Sequence, residues 1–227
     1  MTGFFDKDYY ENGIATGKSC YENYRWIPEL TYPLAHAICE NLGLVRGVKL
    51  LDYGCAHGFT VKALRDFGIE AYGCDISSFA ISSSPKEIDD FIQVLESDLP
   101  SLIQKRNWGT FDWVMAKDVF EHISITDLEK IIGDCSVLSQ NIFVIVPLGE
   151  NEKYRIKAYE DDPSHVIREN EAWWTEILED NGFVVSTACT DMIGIKDRWF
   201  DVHRVRLPDR RSMTLVARSS PKKGQQC

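Results

Sequence analysis

Two histidines with nearby carboxylates are the side chains best suited to moving a proton. His122 ends the run Asp118-Val119-Phe120-Glu121-His122, and His165 ends Asp161-Asp162-Pro163-Ser164-His165. An imidazole changes charge near neutral pH, so either ring could take a proton from an oxygen or nitrogen nucleophile. Asp118 and Asp162 could orient the rings or serve as bases in their place. Asp118, Glu121, His122 and His165 are also oxygen and nitrogen donors, so the same set could hold a divalent ion that lowers the pKa of a bound hydroxyl. The plainer reading of each histidine is a hydrogen-bonded structural residue, and residue type alone does not separate the two.

A second kind of chemistry needs only backbone. The stretch Lys49 to Leu64 reads KLLDYGCAHGFTVKAL. A short apolar run, Leu50 and Leu51, leads to Asp52 and a tight loop from Tyr53 to Gly58, after which Val61, Leu64 and Phe67 recur at helical spacing. Strand, glycine loop and helix together present free backbone N–H groups to a ligand. Gly54 and Gly58 allow the sharp turn and close approach. After the helix, Glu70 to Ile76 predicts a second strand that ends in Asp75, and a carboxylate there can accept both hydroxyls of a ribose. Two decoys fail. The dinucleotide fingerprint G-x-G-x-x-G would need glycine where Ala56 and Phe59 stand, which argues against a nicotinamide-dependent oxidoreductase or epimerase. Gly13 to Ser19 is one residue short of a phosphate loop, and no apolar strand precedes it.

Asp52-x-Gly54-Cys55-Ala56-x-Gly58 resembles the first motif of class I S-adenosylmethionine-dependent methyltransferases, [D/E]-x-G-x-G-x-G, with Ala56 in place of the middle glycine. Asp118 to Ile123 resembles the D-V-x-E-H-[LI] signature of the same family. The resemblance, to the small-molecule methyltransferase 11/23 type, covers roughly residues 28 to 218. It implies an α/β, Rossmann-like fold: a seven-stranded, mostly parallel sheet with the last strand antiparallel and helices on both faces. It implies S-adenosylmethionine as cofactor and S-adenosylhomocysteine as product. By that resemblance Asp52, Gly54, Cys55, Ala56 and Gly58 cradle the cofactor, and Asp75 holds its ribose with Ile76 alongside. Asp98 meets the adenine amino group, Leu99 meets the ring, and Lys117 and Asp118 are further cofactor-binding candidates. Small-RNA 3′-end and ubiquinone-pathway methyltransferases resemble the 118–122 segment and bind a divalent ion through E-x-x-E-H. The first Glu is Asp118 here, and D-V-x-E-H also occurs in metal-free relatives, so a metal is the less favoured alternative.

Composition narrows the field. The chain has 227 residues, enough for one α/β domain, with 44% hydrophobic and 26% charged residues. A net charge of −10 disfavours a nucleic-acid substrate, although a local basic patch would be compatible with one. No apolar run approaches the ~18 residues of a membrane span, and the N-terminus lacks a basic leader, so a cytoplasmic protein is expected. Seven cysteines, at 20, 39, 55, 74, 135, 189 and 227, form no C-x-x-C pair and read mainly as small buried hydrophobes.

The elements that must position these residues follow in order. Residues 1–27 form an aromatic arm whose Tyr9, Tyr10, Tyr21 and Tyr24 either cover cofactor and acceptor or pack the arm onto the domain. Residues 28–218 form the methyltransferase domain, and 219–227 a polar, frayed tail. A helix is expected from Pro28 to Asn41, with Thr31 as its cap, Pro33 in its first turn and Gly43 as its stop. Ser77–Ser84 predicts a short helix, and Phe91–Leu95 and Phe111–Ala116 strands. Asp127–Leu138 predicts a helix, and Asn141–Val146 a buried parallel strand. Residues 148–168 are an irregular functional loop, which the family uses for the acceptor. Its D-P-x-H-V pattern belongs to small-molecule members, so His165 is also a substrate-binding candidate. Glu169–Asn181 predicts a helix whose paired Trp173 and Trp174 are core, followed by strands Phe183–Ala188 and Met213–Ala217. The insertion Asp191–Arg211 between them is a second candidate acceptor wall.

The expected activity is methyl transfer to an oxygen or nitrogen of a small polar acceptor. A sugar or sugar nucleotide from polysaccharide or natural-product synthesis is the first candidate, because the F-F-D-x-x-Y-Y-x-x-G arm is similar to that of such proteins. The alternatives are an RNA or protein methyltransferase and a non-catalytic subunit that binds the cofactor and acts with a partner chain. The sequence does not indicate an oligomeric state.

Overall fold

The computed structural model describes residues 3–154, 156–189, 192, 194, 195 and 212–219. The arm begins with two short helices, α1 (Lys7–Glu11) and α2 (Gly13–Thr16), and α3 (Pro28–Leu42) follows. The central alternation is β1 (Lys49–Tyr53), α4 (Phe59–Asp66), β2 (Glu70–Asp75), α5 (Ser78–Ser82), β3 (Ile92–Val94), α6 (Leu99–Arg106), β4 (Trp113–Lys117), α7 (Ile125–Leu138) and β5 (Asn141–Pro147). A small hairpin, β6 (Gly149–Glu150) and β7 (Lys153–Tyr154), comes next. Then come α8 (Lys157–Glu160), α9 (Glu171–Asp180), β8 (Phe183–Cys189) and β9 (Ser212–Ser219).

The seven-stranded sheet runs β3-β2-β1-β4-β5-β9-β8. Strands β1 to β5 pair in parallel, and β9 is antiparallel to both neighbours. Strand alternation divides the core between two faces. Leu50, Met115, Phe143 and Ile145 pack toward α3 and α4. Leu51, Val114, Ile142 and Val144 pack toward α6, α7 and α9. The expected fold, with helices on both faces and the last strand antiparallel, is the observed one. The strand order reverses between β1 and β4, the place where open parallel sheets bind ligands beyond their carboxyl ends.

Several boundaries moved for local reasons. The first long helix starts at Pro28 as expected, but its cap is Ile27 and not Thr31. Proline supplies a ready helical φ at the first position and needs no intrahelical amide. The Thr31 hydroxyl instead donates to the Ile27 carbonyl at 3.0 Å, and Pro33 lies inside the helix. The 148–168 stretch is not wholly irregular, since it holds the small hairpin and α8. Trp174 is fully buried and Trp173 packs edge-on against it at 5.1 Å, as a core pair should. Cys55, Cys74 and Cys135 are buried free thiols, whereas Cys20 is exposed. Most of the 191–211 insertion, and the tail beyond Ser219, lie outside the described residues. No helix among the described residues is long and apolar enough to cross a membrane.

Candidate active site

The turn after β1 is folded back onto β2. The Gly54 and Cys55 amides donate to the Cys74 carbonyl at 2.8 and 3.0 Å. Ala56 then donates to Asp75 Oδ2 and Ser77 to Asp75 Oδ1, both at 2.8 Å. Such a turn needs left-handed backbone, with φ of 77° at Gly54 and 49° at Ala56. A Cβ on Gly54 would lie 2.3 Å from Val119 Cγ2, so glycine is also required where the loop after β4 crosses. Alanine therefore keeps the turn that a glycine would make more easily.

A cavity of about 480 Å³ opens beyond this turn. Asp52, Gly54, Cys55, Ala56, Asp75 and Ile76 form one wall, and Asp98, Leu99, Lys117 and Asp118 continue it. Gly58 is not on that wall; it precedes α4 with φ of 70°. Asp75 is 8% exposed; burial pushes its carboxyl up, and the Ser77 and Ala56 amides oppose that. Each carboxylate oxygen accepts one of these amides and can accept a second donor. Asp52 is buried, and no hydrogen bond to its carboxylate forms among the described residues. Burial pushes it up to about 7, although the Lys117 charge pulls the other way. Asp98 has a local task, because it caps α6 by accepting the Ser101 amide at 2.9 Å and hydroxyl at 3.0 Å.

The arm closes the opposite side. Tyr9, Tyr10, Tyr21 and Tyr24 all line the cavity, with Phe5 beside them. They pack on one another and on Phe79 of α5, so the arm both covers the cavity and packs on the domain. The Ser77 hydroxyl donates to the Phe5 carbonyl at 2.5 Å and ties the arm to the end of β2.

Proton-handling residues gather at one end. His122 lines the cavity, and the His165 ring lies behind it at 4.5 Å between centroids. His165 and Asp162 are buried and do not line the cavity. His165 Nδ1 sits 2.8 Å from the Tyr159 carbonyl. Burial and the neighbouring His165 lower the His122 pKa to about 4, while Asp162 and Asp118 act to raise it. Glu121, His122 and His165 each offer a ligand atom within 4.8 Å of the others. Asp118 is not in that cluster and pairs with Lys117 at 2.7 Å, which removes the shorter-reach acid from the donor set that spacing suggested.

Sequence reasoning passed over three features. Ser164 joins Asp162 to His122, and its place inside the D-P-S-H run was the only signal. His57 is 3% exposed among the Tyr10, Tyr24 and Phe59 rings, and its Nδ1 has no hydrogen-bond partner among the described residues. Ser124, Asp127 and Lys130 line the far wall from the start of α7, a position that follows directly from the end of β4.

Residues 51–140 match the family model described as a methyltransferase domain. That segment carries the β1 turn, Asp75 and Asp118 to His122, so this part of the chain is similar to a methyltransferase domain. Curated relatives of the domain include ubiquinone biosynthesis O-methyltransferases from Rhodopseudomonas palustris. Strain BisB5 is 25% identical and strain HaA2 26% identical, each over 116 residues. Each match takes in 50% of this chain and 45% of the relative, so the chain spans about half the length of the curated relatives it matches. Among solved structures, the magnesium protoporphyrin IX methyltransferase of Synechocystis PCC 6803 with bound S-adenosylhomocysteine has a TM-score of 0.62 at 16% identity, covering 96% of this chain and 99% of that one. A chain from the Haloferax volcanii complex between the Trm112 methyltransferase activator and a methyltransferase has a TM-score of 0.63 at 17% identity, covering 86% and 92%.

The residues present fit the cofactor of this domain. The turn holds its backbone close to the cavity, Asp75 keeps acceptor capacity on both oxygens, and Leu99 and Ile76 supply apolar wall. The buried Asp52 carboxylate asks for a cationic partner, and S-adenosylmethionine carries an ammonium and a sulfonium.

Proposed function

We propose that this protein methylates a hydroxyl oxygen of a small polar acceptor. The observation that carries the reading is that His122 lines the same cavity as the β1 turn and Asp75. S-adenosylmethionine, when bound, supplies an electrophilic methyl group. Asp75 would hold its ribose, Asp98 and Leu99 its adenine, Asp52 its positive charge, and Lys117 and Asp118 would close the site. The lowered pKa of His122 keeps its ring neutral near pH 7, with a lone pair for the acceptor proton. Asp118 and Asp162 favour the positive charge that forms on the ring as the proton arrives. The arm tyrosines, with Phe5, exclude water and give an acceptor flat faces to lie against.

A sugar or sugar nucleotide suits this wall, since rings stack on sugar faces and Asp118 and Asp127 can accept its hydroxyls. The relatives named as ubiquinone biosynthesis O-methyltransferases put an acceptor from that kind of pathway beside it. The discriminating experiment follows transfer of tritiated methyl from S-adenosylmethionine to sugar nucleotides, catechols and RNA. Product from either of the first two, lost in His122→Gln, supports the reading, and labelling of RNA alone contradicts it. Cofactor binding with no labelled product would shift the reading to a subunit that acts with a partner.

A second reading gives His122 another task. Glu121, His122 and His165 could hold a divalent ion, which would lower the pKa of the acceptor hydroxyl. Both imidazoles have Nδ1 engaged, at Ser164 and at the Tyr159 carbonyl, the outer-shell arrangement typical of metal-binding histidines. Activity that survives a chelator removes the ion and leaves His122 as the base.

A further inference from the structure

Ser164 is the hub between a buried carboxylate and the histidine on the cavity wall. It is 4% exposed. Its amide donates to Asp162 Oδ1 at 2.9 Å, and its hydroxyl donates to the same oxygen. A serine hydroxyl has one hydrogen, and a carboxylate oxygen can only accept. That hydrogen therefore lies toward Asp162. The 2.9 Å contact between His122 Nδ1 and Ser164 Oγ then has one consistent polarity, in which Nδ1 carries the proton and the serine oxygen accepts it. Nε2 is left with the lone pair. A neutral imidazole in water prefers the opposite form, with its hydrogen on Nε2, so the hydrogen-bond chain reverses the intrinsic preference of the ring.

We propose that Ser164 is a positioning residue that locks His122 in the Nδ1–H form and couples it to the Asp162 carboxylate, so that Nε2 is the nitrogen available to the cavity. The inference deepens the proposed methyl-transfer site and rests on that reading for its purpose. Either task suggested for His122, base or ligand, needs a lone pair on Nε2. The arm covers this chain of contacts: the Tyr9 hydroxyl interacts with the same Ser164 side chain, and the Phe5 ring stands edge-on to His122 at 5.7 Å.

The test is nitrogen NMR of the full chain with 15N-labelled histidine at pH 7.5, without cofactor or acceptor. His122→Gln identifies the His122 signals by their loss. The expected result is a proton bonded to His122 Nδ1 and a bare Nε2. Ser164→Ala should lose that Nδ1-bound proton and shift the ring toward the Nε2–H form, and Ser164→Thr, which keeps the hydroxyl, should restore it. His165 is the internal control, because its Nδ1 faces the Tyr159 carbonyl and should stay protonated throughout. If the His165 signals also move in Ser164→Ala, Ser164→Cys replaces it as the weaker acceptor of similar size, with the same loss expected. An Nε2–H form in the unaltered protein, or an unchanged His122 signal in the hydroxyl-free variant, would overturn the proposal. Because no acceptor is used, absence of methyl transfer in the panel above would leave this result standing, and the reverse also holds.

Discussion

The carboxylate of Asp75, at the end of β2, accepts the amide hydrogen of Ala56 at 2.8 Å, so the acid and the turn after β1 form one unit. The turn cannot shift without moving the acid. Ala56 holds φ of 49° to keep that bond, a conformation disfavoured for any residue with a Cβ.

Ala56→Gly should therefore be tolerated. Relief of the left-handed strain is worth about 1–2 kcal/mol, offset by about 0.5–1 kcal/mol of added chain entropy. A melting temperature equal to the parent or up to ~4 °C higher is expected. Ala56→Val, whose branched Cβ fits this region worst, should lower it. Thermal unfolding of the three proteins checks both, and a marked loss in Ala56→Gly would contradict the account of the turn.

Asp52 carries the electrostatic prediction. Its folded carboxyl is pushed up to about 7 by burial, far above its usual 3.8. The folded state thus binds a proton that the unfolded chain has released. Between those values the contribution of Asp52 to stability falls as pH rises. Unliganded Asp52→Asn should melt higher than the parent at pH 8, with the gap closing toward pH 4. With ligand the order reverses. S-adenosylhomocysteine, which retains the ammonium, should bind Asp52→Asn about 10–100-fold more weakly at pH 8. In the parent that affinity should weaken as pH falls below 7. Calorimetric titration at pH 6 and 8 gives both numbers, and equal affinity for parent and variant at pH 8 would remove Asp52 from the cofactor site.

His57 gives the opposite pH dependence. Burial among aromatic rings lowers its pKa to about 4, below the ordinary 6.5. The unfolded chain takes up the proton first, so stability is lost as pH falls from 6.5 toward 4. The loss by pH 5 is on the order of 1–2 kcal/mol. His57→Phe should remove that component. Chemical denaturation at pH 7.5 and 5 should show a smaller acid-induced loss in the variant, and an identical loss would place His57 outside the arm's support.

The parts of this molecule legible in its sequence are those encoded locally. Leu50, Leu51 and Asp52 followed by two glycines can hardly be anything but strand and turn. The 142–146 run has no polar position to face water, so a buried parallel strand was its only comfortable place. The alternation of strands and helices carried the sheet, while its order came from family resemblance. What failed was capping: Thr31 and Pro28 both suit a helix start, and the proline is earlier. Asp98 similarly reads as a ligand contact by position, yet also caps α6. The arm was legible as an aromatic cover, but the Ser164 hub and the corner where the two meet were not. Tyr9 and Ser164 are far apart in the chain, and no periodicity records that the arm folds across the ends of β1, β2 and β4. Only the packed structure brings Phe5, His122 and Ser164 to one corner.

The central claim is that the β1 turn and Asp75 hold S-adenosylmethionine, and thermal unfolding tests it most directly. The parent and Asp75→Ala are melted alone, with S-adenosylhomocysteine, and with NAD. A ligand at ~100 times its dissociation constant stabilises the folded state by about 2.7 kcal/mol, a rise of about 5 °C or more for a chain of this size. The account predicts that rise for the parent with S-adenosylhomocysteine, none with NAD, and its loss in Asp75→Ala. No rise at millimolar S-adenosylhomocysteine, or an equal rise in Asp75→Ala, would contradict it.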